Sequence, residues 1–245
     1  MIIGNTNVWS QSTTLPNQPK YDNKNIHFGF YLGANQMLFS LKMRPGFNHF
    51  TYYQDQIPEF NADSAYLRNA EPIPQLGFTI GVVSDLRLGK YFNLRFTPEL
   101  LFSERRISYN ILTYYRGKPV LIENFQKKVP STHLNFPFYL KYKGVRMHNA
   151  RPYVFIGVKF VMDLAAQAGK KEDQNERDVV IKLYRSDIAF ETGVGFDFYF
   201  NWFKMGTELR MSYGLNDVLK NEDNIYTDPI ESLHSRIFQL VFTFE

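Results

Sequence analysis

The stretch YFNLRFTPELLFSERR, residues 91–106, decides the fold. Its apolar residues take alternate positions: Phe92, Leu94, Phe96, Pro98, Leu100 and Phe102. Between them sit Asn93, Arg95, Thr97, Glu99, Leu101 and Ser103. A period of two belongs to a β-strand with one apolar and one polar face. If the apolar face points inward, the chain is a soluble sandwich or a lipocalin-like barrel. If it points outward, the chain is a barrel in a membrane.

Composition narrows the choice. Aromatic residues make up 17% of the 245, which is high for a soluble domain and supplied almost entirely by Phe and Tyr. No apolar run is long enough for a transmembrane helix. That excludes a helical membrane protein but not a membrane barrel, whose strands hide their apolar residues by alternation. The net charge of +4 is modest and no basic run resembles a nucleic-acid arm, so no nucleic-acid partner is expected. Cysteine is absent, which removes disulfides, thiolate metal sites and cysteine nucleophiles.

Eight segments repeat the opening pattern, at about 26–38, 75–88, 91–106, 132–143, 151–165, 187–200, 203–215 and 235–245. Their connections alternate in length. LGKY, GVRMHNA and FNWF are short, whereas about 39–74, 104–131, 166–186 and 216–234 are long and read as polar. The third long connection contains the charge-dense AGKKEDQNERD. Short periplasmic turns and long outer loops are the arrangement of outer-membrane barrels, and an even strand count leaves both termini periplasmic. The first 20 residues, MIIGNTNVWSQSTTLPNQPK, lack the basic start and full apolar core of a signal peptide but resemble the tail of one. The expected organisation is a signal-peptide remnant and flexible periplasmic leader over 1–25, then one barrel over 26–245.

The strand glycines set the facing. Gly29, Gly33, Gly77, Gly81, Gly157, Gly193, Gly195, Gly206 and Gly214 share the polar face with nearly all the strand charges. An eight-stranded barrel has an interior that side chains fill, and glycine there makes room for Arg, Lys, Glu and Tyr. The opposite face carries Phe, Leu, Ile and Val, which suits lipid and would overfill a small lipocalin-like cavity. The sequence therefore predicts an all-β, eight-stranded antiparallel outer-membrane barrel, integral to the membrane, with lipid as its surroundings.

HLNFPFYLKYKG (133–144) followed by ARPYVFIGVKFVMDL (150–164) resembles the central hairpin of the outer-membrane β-barrel family of Bacteroidetes. HFGFYLGANQMLFSLK (27–42) and SRIFQLVFTFE (235–245) bring the chain closer to one branch, the PorT family. The resemblance implies a component of the type IX secretion system, with other secretion-machinery proteins as partners, a link to gliding motility in some relatives, and no catalytic residues. One departure is that the aromatic end expected of an assembly signal is followed by Glu245.

Five inward charges near mid-strand, Glu99, Lys159, Glu191, Glu208 and Arg210, are expected to pair as a structural polar plug. Unpaired, they would be costly in a narrow lumen. The functional alternative is an ion path or a gate. His133, His234, Ser131, Ser235 and Glu104 fall near the outer rim, but no nucleophile elbow, HExxH or paired-His spacing joins them. GFTIG and GVGF lack the strand-to-helix context of a phosphate loop, and neither a cofactor nor a metal is expected. Tyr52, Tyr53, Tyr66, Tyr109, Tyr114 and Tyr115 crowd the first two long connections. They read equally as interface packing or as a protein-contact surface. The runner-up role is a small outer-membrane binding or anchoring barrel whose long loops recognise a partner.

Overall fold

The computed structural model describes residues 17–57, 59–166 and 181–245; residues 1–16 of the expected leader and the AGKKEDQNERD stretch lie outside them. Among the described residues eleven strands run as β1 (Ile26–Met43), β2 (Tyr52–Tyr53), β3 (Ser64–Ile73), β4 (Gln75–Arg87), β5 (Phe92–Phe96), β6 (Glu99–Tyr115), β7 (Lys118–Lys143), β8 (Ala150–Asp163), β9 (Ser186–Tyr199), β10 (Lys204–Gly214) and β11 (Ile230–Phe244). β3 and β4 form one stave of the barrel and β5 and β6 another, so the wall has eight staves, all antiparallel. The ring runs β1–β11–β10–β9–β8–β7–β5/β6–β4 and closes through the β1–β4 pairing, in which Ile26 faces Leu86 and Met37 faces Gln75. Closure leaves no open sheet edge in the wall, as a lipid environment requires.

The break between β5 and β6 falls at Thr97–Pro98. Proline has no N–H to give the ladder. Its carbonyl still accepts from Val82 N at 3.1 Å, and Thr97 N reaches Pro137 O on β7 at 3.2 Å. The alternation survives the break. Phe92, Leu94 and Leu100 are exposed on the outside while Asn93, Arg95, Thr97 and Glu99 are buried inside. The apolar face points outward all the way round, with Phe28, Phe78, Phe138, Val158 and Phe196 each about half exposed or more. This settles the opening question in favour of the membrane barrel.

The long connections differ from the expectation. Residues 104–131 are not a polar loop. β6 and β7 continue as a hairpin that turns at Arg116–Gly117, both at positive φ (48° and 76°). That is the turn geometry that matches strand twist in a two-residue hairpin. β3 extends the sheet on the other side of β6, and β2 pairs with β3. The inward face of this extension is apolar, with Ala65, Leu67, Ile107, Tyr109 and Ile111 almost fully buried. Segments of the first and last long connections pack beneath it, bringing Tyr52, Ile57, Phe60, Val218, Leu219, Ile225 and Tyr226 into one core. The barrel thus carries a packed cap at its long-connection end.

Candidate functional site, the ion-paired lumen

All five expected lumen charges are buried and lie in one network. Lys159 Nζ on β8 is 2.5 Å from Glu191 Oε2 on β9 and 3.8 Å from Glu99 Oε1 on β6. Arg210 on β10 is 2.5 Å from Glu208 Oε2 and 3.8 Å from Glu99 Oε2. Glu208 and Arg210 are two apart on one strand, so the pleat puts them on one face. Glu99 links the two halves. It also accepts from Tyr31 Oη and from Asn135 Nδ2, both at 2.7 Å. Tyr139 Oη donates to Glu191 at 2.5 Å and Tyr153 Oη to Glu208 at 2.6 Å.

The three lumen tyrosines explain three of the inward glycines. Tyr31, Tyr139 and Tyr153 face Gly81, Gly157 and Gly195 directly across the ladder. A Cβ on Gly81 or Gly195 would come within 2.5 Å of the facing ring. The glycines make room above all for phenol rings, which then reach the carboxylates.

The network continues toward the short-turn end through residues the mid-strand reading left out. Arg95 Nη1 is 2.5 Å from Glu208 Oε1, so one carboxylate bridges two guanidiniums. Arg95 also meets Asp85, its direct partner across the β4–β5 ladder, at 2.8 Å, and Glu245 at 3.1 Å. Lys141 pairs with Asp197 at 2.9 Å and Lys204 with Glu245 at 2.7 Å. Each lies on the inward, polar parity that the alternation gives its strand, outside the mid-strand cluster. Glu245, which read as a departure from an aromatic end, puts its carboxylate into this tier.

The mouth at that end is occupied by the described part of the expected leader. Asn17 Nδ2 donates to Tyr199 O at 3.0 Å, and Asp22 accepts from Tyr199 Oη at 2.9 Å. Asp22 also lies 3.2 Å from Arg151, and Tyr21 stacks on His27 with ring centroids 4.3 Å apart. Over residues 17–25 the leader packs against the barrel.

The rim residues separate. Arg105 gathers Ser131 (2.6 Å), Ser235 (3.0 Å) and Asp163 (2.8 Å) inside the wall, and His133 Nε2 lies 3.4 Å from Asp163. His133 Nδ1 has no partner among the described residues, so neither serine is hydrogen-bonded to a base there. His234 and Glu104 point outward, the first stacked on Tyr213 and the second bonded to Arg106. No acyl-transfer arrangement forms from these five groups. The tyrosines split as well. Tyr52 and Tyr109 are core residues of the cap, and burial pushes both phenols above their ordinary range. Tyr52 Oη donates to Asp228 at 2.9 Å and Tyr109 Oη to Tyr226 O at 3.1 Å. Tyr66 and Tyr114 meet edge-on at 5.8 Å and are partly exposed, as is Tyr115, while Tyr53 is well exposed.

A closed antiparallel ring with a lipid-facing apolar wall and a charged, filled interior defines an outer-membrane β-barrel protein. Residues 9–220 match the family described as "Outer membrane protein beta-barrel domain", and the chain belongs to it. Among solved structures it is similar to Neisserial surface protein A (NspA), at 11% identity and a TM-score of 0.40, covering 90% of this chain and 98% of that one. It is also similar to the outer membrane protein OprG from Pseudomonas aeruginosa, at 11% identity and a TM-score of 0.38, covering 90% and 94%. No curated protein matches the chain.

Proposed function

We propose that this barrel is a non-conducting, non-enzymatic component of the type IX protein secretion machinery, acting through its cap or its short-turn face. The observation that carries the non-conducting half is the lumen. Eight strands enclose a space just wide enough for side chains. Here that space holds Arg95, Glu99, Lys159, Glu191, Glu208 and Arg210, all buried and paired. A peptide crossing it would displace those pairs and leave buried charges uncompensated, at several kcal/mol each. Exported cargo would need another, larger pore. The secretion half is supported by the resemblance of residues 27–42 and 235–245 to the PorT branch. Under this reading the short-turn end, with both chain ends, faces the periplasm, and the five-residue core of the plug is structural.

Two experiments test it. Purified barrel in planar bilayers is expected to show little or no conductance; a large, stable channel from a single copy would refute the plug. Deletion of the gene is expected to abolish export of secreted cargo while leaving the outer membrane intact. Normal export would refute the secretion role.

A second reading, a small binding or anchoring barrel, is favoured by the cap. Its buried apolar core holds the outer connections in one shape, as a recognition surface requires. Affinity capture from native membranes separates the two: secretion components would support the first, and an unrelated ligand the second.

A further inference from the structure

On the outside of the wall an open groove of about 550 Å³ crosses β9, β10, β11 and β1. One row of its floor is Ala34, Leu240 and Leu209, in register with one another; the next is Gln36, Phe238 and Met211. Ala34 is the small side chain in a row of leucines, and it opens the hollow.

The following row is different. Leu38, Arg236 and Tyr213 lie in register there, with Ser40 and His234 paired just beyond. The Arg236 guanidinium lies 5.6 Å from the Tyr213 ring centroid, and the His234 ring stacks on Tyr213 from 5.6 Å. Arg236 makes one long hydrogen bond, from Nη2 to Ser40 Oγ at 3.5 Å. Arg236 Nε and His234 Nδ1 are buried without a partner among the described residues. No carboxylate pairs with Arg236 among those residues, and Glu231 on the same strand is held by Lys42 at 2.6 Å. A buried donor left unpaired is costly. A guanidinium is shaped to hold a phosphate through two parallel N–H groups.

We propose that this surface binds one anionic, phosphate-bearing membrane lipid. An acyl chain lies along Ala34, Leu240 and Leu209, and a phosphate oxygen accepts from the half-buried Arg236 guanidinium, with Ser40 and His234 at its margin. The wall presents apolar groove and cation in the order in which a lipid carries chain and anion. A protein partner would have to bring a carboxylate to the edge of a lipid-facing surface to satisfy the same group.

The test uses the full-length barrel in nanodiscs of phosphatidylcholine with a minority of phosphatidylglycerol, read by native mass spectrometry. Retention of one phosphatidylglycerol, enriched over its bulk share, is expected. Arg236→Gln should lower that retention roughly tenfold, the loss of a charge-assisted hydrogen bond. Ala34→Leu, which fills the groove at its other end, should lower it as well. Heat-modifiability on gels checks that each variant is folded, and Ala34→Leu carries the test if Arg236→Gln fails to fold. Excess inorganic phosphate should not displace the lipid. Undiminished retention in a folded variant, no enrichment over phosphatidylcholine, or displacement by inorganic phosphate would each overturn the proposal.

Discussion

Glu208 is the residue whose loss should be felt most. Its two oxygens are divided between two guanidiniums, Arg210 on Oε2 and Arg95 on Oε1, each at 2.5 Å. Tyr153 adds a third donor at 2.6 Å. Glu208→Gln keeps the shape and removes the charge. Arg95 then still has Asp85 at 2.8 Å and Glu245 at 3.1 Å. Among the described residues Arg210 retains one ion pair, with Glu99 at 3.8 Å. Breaking a buried pair from one side costs about 3–5 kcal/mol, because a buried charge is left uncompensated. The variant should therefore lose about that much stability in urea titrations of the barrel in lipid vesicles, followed by tryptophan fluorescence. The paired replacement Glu208→Met with Arg210→Met removes both charges together. It leaves Glu99 with Lys159, Tyr31 and Asn135, and Arg95 with Asp85 and Glu245. Apolar replacement of a whole buried pair is often neutral or stabilising, so the double variant should be at least as stable as the single one and close to the parent. A single variant within about 1 kcal/mol of the parent, or a double variant worse than the single, would refute the account of the lumen as a mutually compensated network.

The wall, the cap and its phenols each give a further expectation. Phe96→Arg or Phe196→Arg puts a charge on the lipid face and should cost about 2–4 kcal/mol near the midplane, seen as loss of the heat-modifiable folded band; normal folding of both would mean the faces are reversed. At inward Thr97 the same change should instead be limited by space, since that side chain is fully buried. Ile111→Ala empties a fully buried position in the cap and should cost about 2–5 kcal/mol there, so limited proteolysis should cut the cap while the barrel band survives. Tyr52 and Tyr109 are held protonated by burial. Their folded-state pKa lies above the unfolded value of about 10, so their contribution is full below that pH and is lost progressively above it. The cap should accordingly become protease-sensitive in alkali before the barrel does, and Tyr52→Phe should weaken that dependence.

The wall was legible because lipid imposes one rule on every stave. Alternation from Phe92 to Phe102 gives the faces, and the glycine parity gives their direction. The pairing across strands was not legible, because Lys159 and Glu191 meet only once β8 and β9 are in register. The cap was missed for two reasons. Ser103, Glu104, Arg105 and Arg106 interrupt the apolar face at the top of the membrane band, where the outward side chains leave lipid. Beyond them the period slips on β3 and β7, the strands paired with β6. Register shifts lie between Leu67 and Asn69 and between Tyr109 and Ile111, and Asn124 on the facing strand has φ of 56°. Bulges of this kind break the count of two on β3, where Leu67 and Ala70 are both buried, and on β7, where Ile122 and Phe125 both pack against the core, while β6 keeps it. On β6 the inward parity holds from Leu101 through Arg105 to Ile107, Tyr109 and Ile111, and that was the readable signal.

The network bears on which fold is chosen as much as on how stable that fold is. In a sheet a one-residue slip sends every side chain to the opposite face. For β10 such a slip would expose Glu208 and Arg210 to lipid and bury Leu209 and Met211 in the lumen, against the pairing that places Leu209 beside Leu240 and Arg210 beside Gln239. An arginine on the lipid face alone costs about 2–4 kcal/mol at mid-depth. The slip would also strand Arg95 and Glu99 among apolar neighbours inside. The same few charges that add little net stability as a compensated set therefore make the wrong register expensive on both faces at once. An apolar pair at 208 and 210 removes much of that penalty for β10. Its effect should then show less in the unfolding midpoint than in the fraction of chains that reach the folded band when the barrel assembles into vesicles.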